Sequence, residues 1–198
     1  MRPNETLLDL LLELQILDRV PRSGYVLRGV DRPESVTEHS WHVVFLVWVL
    51  GPRIEGMDVA RAVEIALVHD LAELRIGDLP RTAGRYFPDG AKQRAESAAM
   101  AEILAPLPER ARELYAEYQA GETREARLVK ACDKLQLMIK VAVLESWGAR
   151  GLAEFWDNPE NFPDGDFEPV REVLENLRRR REAGNHPPGG LPGGGSAS

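Results

Sequence analysis

Helical periodicity runs along almost the whole chain of 198 residues. In the first segment, Asn4 to Leu17, leucines at positions 7, 8, 11 and 12 repeat with the spacing of one helix face, and Asn4 is placed to cap the helix. The longest segment follows Thr123 and carries apolar residues at 128, 129, 132, 135, 138, 139 and 142 before Trp147. The loops are too poor in β-branched and aromatic residues to predict strands. The pattern therefore predicts an all-α fold.

Caps and breakers place the other elements. We expect further helices over residues 35–50, 58–73, 91–104, 108–119, 152–156 and 167–182. Two segments rich in glycine and proline, 18–35 and 74–89, are predicted as loops. The second spans roughly 16 residues, which is long enough to expect a role at a functional site.

The composition changes at about residue 184. Residues 1–183 carry the helical pattern and are numerous enough for one domain with a sizeable core. Residues 184–198 consist mainly of glycine, proline and serine, which cannot bury enough apolar surface to offset the chain entropy lost on folding. We predict a disordered tail there, and His186 at its start is assigned to no site.

Charge and cysteine content narrow the class of protein. The formal net charge of −7 argues against a general nucleic-acid binder, which needs a basic face. No apolar stretch approaches the ~20 residues of a membrane span. The single cysteine, Cys132, excludes an internal disulfide and a thiolate metal cluster. These features predict a cytoplasmic protein without nucleic-acid or membrane partners.

Candidate chemistry is concentrated at the adjacent pair His69-Asp70. The pair ends an apolar run, and Glu73 follows one helical turn later, close enough to exchange a proton with a bound substrate. A divalent ion of intermediate hardness accepts imidazole and carboxylate ligands together. His39 and Asp133, on other segments, would complete a set of two histidines and two aspartates. Such a set leaves coordination positions open, as catalytic metal sites require.

Each of these residues also has a structural interpretation. Adjacent His-Asp pairs are common on protein surfaces, and His39 alone could be a packed histidine. His39 and His42 could form a local i, i+3 chelate, although a structural role for His42 is favoured. Asp133 lies in the charged stretch 130–134, yet it shares a helix face with Val129. The combination of the four residues, rather than any one of them, predicts a metal site.

The order of these residues resembles a known signature. His39, then His69-Asp70, then Asp133 is similar to the H…HD…D pattern of the HD-domain metal-dependent phosphohydrolases. The resemblance to one branch, the small 5′-deoxynucleotidases, extends over roughly residues 8–182. It is carried by the segments Leu17–Arg22, Arg32–Ser40, Ala66–Glu73, Gly77–Pro80 and Val129–Asp133.

This resemblance implies an HD-domain helical bundle, assembled as a homodimer, that hydrolyses deoxyribonucleoside 5′-monophosphates to deoxynucleoside and phosphate. One divalent ion would be held by His39, His69, Asp70 and Asp133. Glu73 would be the essential acid/base, protonating the departing 5′-oxygen or relaying the proton. Asp78 matches a second catalytic or substrate-orienting carboxylate. Arg19 matches an arginine that contacts the substrate phosphate, a task that suits a guanidinium.

The histidine count refines the expectation. Dinuclear relatives place extra histidines between the HD pair and the final aspartate, and this chain has none between Asp70 and Asp133. We therefore expect a single-metal hydrolase, with Mn, Co, Fe, Ni or Zn as the ion. Two alternatives stay open: a compact phosphohydrolase acting on dNTPs or a modified nucleotide, and a non-catalytic HD module that binds a nucleotide.

Overall fold

The computed structural model describes residues 6–184, and the regular structure of this range is entirely helical. An isolated antiparallel bridge between Pro21 and Ser35 is its one strand-like pairing. The all-α prediction is therefore confirmed. The α-helices are α1 Leu7–Leu14, α2 Ser23–Val26, α3 Val36–Leu50, α4 Val59–Val68, α5 Glu73–Ile76, α6 Arg81–Gly84, α7 Ala91–Ile103, α8 Glu109–Ala120, α9 Arg124–Ser146, α10 Ala153–Asp157 and α11 Glu168–Glu182. Short 3₁₀ helices cover Gln15–Arg19, Gly51–Arg53 and Pro159–Asn161.

Helices α3, α4 and α9 pack against one another and form the centre of the fold. Helix α9 can lie in the middle because apolar residues recur on several of its faces; Leu128, Cys132 and Leu135 are all fully buried. Thr123 caps this helix, as its hydroxyl accepts a hydrogen bond from the amide of Ala126. The centre of the bundle is thus built from the helices that position the predicted metal ligands. His39 lies on α3, Asp133 lies on α9, and the pair His69-Asp70 directly follows α4.

Helix α3 begins where the sequence predicted. Ser35 is its N-cap, and Ser35 and Glu38 form a reciprocal capping box, with the Glu38 carboxylate accepting from the Ser35 amide at 2.7 Å. This cap fixes the first turn of α3. His39 therefore leaves the helix toward the interior, where it is fully buried.

Helix α1 differs from the prediction in two ways. Its N-cap is Thr6, which forms a capping box with Asp9, whereas Asn4 lies outside the described residues. Leu10 and the partly buried Leu14 make the apolar core contacts of this helix, whereas the predicted leucine face lies on the surface. The leucines of that face, Leu7, Leu8, Leu11 and Leu12, are 50–63% exposed.

The predicted helix 58–73 is interrupted. Helix α4 ends at Val68, and the chain tightens into i→i−3 hydrogen bonds, such as that from the Glu73 amide to the Asp70 carbonyl at 3.1 Å. Glu73 then opens the separate helix α5. The segment 74–89 was predicted as a loop from its glycines and prolines, but it also contains the short helix α6.

Two further predictions concern the tail and membrane association. The tail predicted to be disordered lies outside the described residues from position 185 onward. Among the helices of residues 6–184, none has the length and apolarity that a bilayer crossing requires.

Candidate active site

The two histidines of the predicted ligand set are both held through the ring nitrogen Nδ1. His39 places Nδ1 2.6 Å from the side-chain oxygen of Gln136, and His69 places Nδ1 2.7 Å from the main-chain carbonyl of Ala66. Because both acceptors take a proton from Nδ1, Nε2 is the nitrogen of each neutral imidazole that carries the free lone pair. Both Nε2 atoms are buried and have no hydrogen-bond partner.

Two carboxylates approach these nitrogens. Asp70 Oδ2 lies 3.2 Å from His69 Nε2 and 3.5 Å from His39 Nε2, and Asp133 Oδ1 lies 3.1 Å from His39 Nε2. Ligand atoms of His39, His69 and Asp70 all lie within 4.8 Å of one another. Buried lone pairs without partners are costly unless something binds them, so these residues fit a divalent cation well.

The electrostatics of the cluster agree with that interpretation. Burial alone would raise the pKa of Asp70, but the imidazoles of His69 and His39 and the charge of Arg22 hold it below its usual range. Burial and Arg22 act to lower the pKa of His39, yet the neighbouring carboxylates, first Asp133 and then Glu34, raise it to about 9. The carboxylates of the cluster are therefore ionised, and their negative charge favours a positive charge at the histidine nitrogens, as a bound cation would supply.

Glu73 lies beside the cluster rather than within it. Its Oε2 is buried and has no hydrogen-bond partner, while Oε1 lies 3.7 Å from Arg22 Nη1. Burial first, and then the neighbouring charge of Asp70, raise the pKa of Glu73 well above its usual range, although Arg22 opposes the shift. A carboxyl group in this environment holds a proton at neutral pH and can act as a general acid.

Arg22 is the cation at the centre of the site, and the sequence interpretation missed it. Its guanidinium lies 2.9 Å from Asp78, 3.6 Å from Asp70, 3.7 Å from Glu73 and 4.0 Å from Asp133. Burial lowers the pKa of Arg22, but these four carboxylates outweigh burial and raise it above its usual range. Arg22 therefore stays charged and can contribute positive charge to a bound anion.

The structure places Arg19 elsewhere. Arg19 ends the 3₁₀ helix Gln15–Arg19, is exposed, and is not among the residues that line the cavity next to the cluster. The chain then runs extended beside the start of α3, with the Arg22 amide bonded to the Glu34 carbonyl at 2.9 Å. Side chains alternate along this extended stretch, so Val20 and Arg22 turn inward. The sequence carried no local signal for choosing Arg22 over Arg19, because residues 18–35 were predicted as a loop and side-chain alternation follows only from the extended backbone.

The Asp78 carboxylate is hydrogen-bonded to two neighbouring groups. Gly77, with φ of +69°, turns the chain after α5, and Asp78 then accepts from Arg22 Nη1 at 2.9 Å and from the Ser23 amide at 2.5 Å. Both of its carboxylate oxygens are used in this way. The geometry suits a role in orienting Arg22 better than a role in proton transfer. His42 is not among the residues that form the cluster or line the cavity.

The cluster opens into a cavity of about 680 Å³. Its wall includes His69, Asp70, Glu73, Asp78, Asp133 and Arg22. Apolar surface is supplied by Phe155 and Leu137, and the buried ring of Tyr25 packs against Phe155 with ring centres 5.7 Å apart. Space of this size, with charged groups and aromatic surface in one wall, suits a small anionic molecule that carries a ring.

Comparison with known proteins identifies the family. The HD domain family model matches residues 14–156, and the chain belongs to the HD domain family. The chain is 34% identical over 159 residues to the human protein named 5′-deoxynucleotidase HDDC2, covering 77% of this chain and 76% of the human one. It is 32% identical over 152 residues to 5′-deoxynucleotidase hdd1 of Schizosaccharomyces pombe, covering 72% and 75%.

Solved structures show the same fold. A conserved hypothetical protein from Pyrococcus furiosus superimposes with a TM-score of 0.75 at 38% identity, covering 87% of this chain and 99% of that one. The cyanophage S-2L HD phosphohydrolase, solved with dA and one catalytic Zn²⁺ ion, gives a TM-score of 0.54 at 26% identity, covering 91% and 86%. The helical bundle and the family predicted from the sequence are both confirmed.

Proposed function

We propose that this protein is a metal-dependent 5′-deoxynucleotidase, which hydrolyses deoxyribonucleoside 5′-monophosphates to deoxynucleoside and phosphate. The observation that carries the proposal is the convergence of His39 Nε2, His69 Nε2 and Asp70 Oδ2, which are buried and have no hydrogen-bond partner, beside the buried carboxyl group of Glu73. The names of the relatives from human and fission yeast support the same activity.

The proposed metal ligands are His39, His69, Asp70 and Asp133. When bound, a divalent ion supplies positive charge for phosphoryl oxygens and makes water more acidic. Two imidazole nitrogens and two carboxylate oxygens suit Mn, Co, Fe, Ni or Zn. The one catalytic Zn²⁺ ion of the cyanophage phosphohydrolase supports a mononuclear site without deciding the metal of this chain.

The chain's own residues divide the remaining work. We assign proton donation to the departing 5′-oxygen to Glu73, whose raised pKa keeps a proton on a buried carboxyl group. Arg22, rather than Arg19, binds a phosphate oxygen in this proposal, because Arg22 lines the cavity and Arg19 does not. Asp78 holds the guanidinium of Arg22 in place. Phe155 offers aromatic surface for the nucleoside, and the buried ring of Tyr25 packs against it.

Product analysis tests the proposal. The metal-free protein is supplied with Mn²⁺, Co²⁺ or Zn²⁺ and incubated with panels of dNMPs, NMPs and dNTPs. We expect inorganic phosphate from dNMPs. Release of pyrophosphate or tripolyphosphate from dNTPs would indicate the alternative phosphohydrolase instead. Tight nucleotide binding without turnover under every condition would indicate the non-catalytic module and contradict the proposal.

We further propose that two copies associate through α3. Trp41, Phe45 and Trp48 form an exposed ladder, with 61, 46 and 60% of their surfaces exposed and ring centres 5.5 and 5.8 Å apart. At ~150–250 Å² per aromatic side chain, the ladder exposes on the order of 300 Å², which is comparable to the largest apolar patch of a typical monomer, and such patches are often functional. A twofold axis at Phe45 would pair Trp41 of one copy with Trp48 of the other, so the ladder is self-complementary.

A cytoplasmic location is part of the same proposal. Its support is the single cysteine of the chain: Cys132 is buried and unpaired in the bundle, as expected for a protein of a reducing compartment.

A further inference from the structure

Behind His39 lies a buried series of polar side chains that the proposed reaction does not use. His39 Nδ1 is 2.6 Å from Gln136 Oε1, and Gln136 Nε2 donates to the Glu34 carboxylate at 2.9 and 3.2 Å. Lys140 Nζ then lies 3.0 Å from the same carboxylate. Glu34 and Gln136 are only 4% and 3% exposed. A polar network buried this deeply needs a reason, because each member would be costly if left unsatisfied.

The hydrogen-bond chemistry of this network has one consistent direction. The Lys140 ammonium can only donate, and the ionised carboxylate of Glu34 can only accept. The Gln136 amide must therefore turn its NH₂ group toward Glu34, which leaves its carbonyl oxygen facing His39. That oxygen accepts the proton on His39 Nδ1. The series as a whole leaves the lone pair of His39 on Nε2, the atom that faces Asp70 and Asp133.

His69 needs no comparable network of side chains. Its Nδ1 faces the main-chain carbonyl of Ala66 at 2.7 Å, and a helix carbonyl is always an acceptor. A glutamine amide differs, because rotation by 180° exchanges its oxygen and nitrogen with little change in shape. A flipped Gln136 would present NH₂ to Nδ1 and force the proton onto Nε2, where it would block a metal. Gln136 therefore works as an acceptor only while Glu34 holds it.

We propose that Gln136 is a positioning residue for the metal site and that Glu34 sets the orientation of its amide. The inference rests on the proposed metal site and adds to it a residue pair outside the predicted ligand set. Helix α9 presents Asp133, Gln136 and Lys140 at i, i+3 and i+7 on one face. One helix therefore supplies the proposed ligand Asp133 and also the residue that orients a second ligand, His39. Hydrogen-bonding partners of ligating histidines commonly have this effect on metal affinity.

The test measures the dissociation constant of Zn²⁺ alone, by competition of the metal-free protein with a chromophoric chelator. Gln136→Met keeps the length of the side chain and removes the acceptor, and we expect ~10–100-fold weaker binding. Glu34→Gln keeps a hydrogen-bonding group but permits the Gln136 amide to flip, and we expect a loss of about 10-fold. Gln93→Met, at an exposed glutamine of α7, is the matched control and should bind as the wild type does.

A double variant separates positioning from general packing. Exchanging the two groups, Glu34→Gln with Gln136→Glu, puts an acceptor-only carboxylate next to His39 Nδ1 and lets the new amide donate to it. Lys140 can then donate to the oxygen of that amide, so every member of the network is again satisfied. We expect the exchange to restore Zn²⁺ affinity to within about threefold of wild type, since the coupled pair acts as a unit. If Gln136→Met does not fold, the comparison of this double variant with Glu34→Gln alone still tests the positioning role of Gln136.

Two results would overturn the inference. One is a Gln136→Met protein that folds and binds Zn²⁺ as tightly as the wild type does. The other is an exchanged variant that binds no better than Glu34→Gln alone. Because the readout is affinity rather than turnover, a wild-type protein that binds Zn²⁺ but releases no phosphate would contradict the proposed function only.

Discussion

Arg22 Nη1 lies 2.9 Å from Asp78 Oδ1, and this pair links the segment before α3 to the turn after α5. Asp78 also accepts from the Ser23 amide, so it fixes both the side chain of Arg22 and the backbone that follows it. The result is a single guanidinium held among the carboxylates of the proposed metal site. A charge fixed in this way is preorganised for a phosphate oxygen and needs little rearrangement during the reaction.

The two arginines of this segment give a matched pair of variants. Arg22→Lys keeps a positive charge but removes the planar fork, and we expect kcat/KM for a dNMP to fall by ~10–100-fold, the value of a charge-assisted hydrogen bond. Arg19→Lys changes an exposed residue outside the cavity and should change kcat/KM by less than about twofold. Steady-state phosphate release measures both. A larger effect at Arg19 would restore the original sequence-based assignment.

Glu73 should matter for turnover and not for metal binding. Glu73→Gln removes the proton that the buried carboxyl group holds, so we expect kcat to fall by ~10²–10⁴-fold with Zn²⁺ affinity little changed. Glu96→Gln is the control, because Glu96 is another carboxylate in the cavity wall, paired with Lys92 at 3.4 Å. Full activity in Glu73→Gln would remove the acid/base role.

The raised pKa values predict how pH affects the metal-free protein. His39, raised to about 9, and Glu73, also raised, both bind protons more tightly in the folded than in the unfolded state. Their contribution to stability is full below the unfolded values and is lost as pH rises through the folded ones. We expect the free energy of unfolding to fall between pH 6.5 and 9, by on the order of 2 kcal/mol for His39.

Urea unfolding of chelated protein across that pH range provides the measurement. Glu73→Gln should show a shallower dependence on pH, because the glutamine mimics the protonated acid at every pH. Zinc-loaded protein should lose most of the dependence that His39 contributes, since a ligating imidazole cannot take up the proton. A metal-free protein whose stability rises over this range would contradict the assigned shifts.

The aromatic ladder on α3 predicts the assembly state. Trp48→Glu places a charge at one end of the ladder, where burial in an interface would be costly, and we expect a dimer to dissociate to monomers. Tyr86→Glu alters an aromatic side chain that is 77% exposed and lies outside the ladder, so it should leave assembly unchanged. Sedimentation equilibrium distinguishes the two. A wild-type protein that is monomeric at micromolar concentration would contradict the proposal.

Much of the fold was predictable because helix signals are local. Ser35 and Thr123 cap α3 and α9 where the sequence indicated, and the three-to-four-residue apolar repeat identified the long central helix. The break after Val68 was missed because no glycine or proline marks it. The exposed leucine face of α1 was not distinguishable from a core face, since apolar spacing reports a face and not what covers it.

The site was predictable in part for similar reasons. His39, His69, Asp70 and Asp133 are chemically distinctive; the structure brings the first three within 4.8 Å of one another and places Asp133 3.1 Å from His39. Arg22 was missed because Arg19 and Arg22 are equivalent by residue type, and only the extended backbone beside α3 decides which one turns inward. The roles of Gln136 and Glu34 depend on a contact across 102 positions of the chain, which residue type and local spacing do not encode.

A metal titration of the chelated protein, followed by phosphate release from a deoxyribonucleoside 5′-monophosphate, measures directly whether one ion activates the site. If His39, His69, Asp70 and Asp133 form one catalytic metal site, activity will be absent without metal. It will then rise in proportion to added metal and level off at about one ion per chain. Phosphate release that survives exhaustive chelation, or that appears only after a second equivalent has bound, would contradict the account.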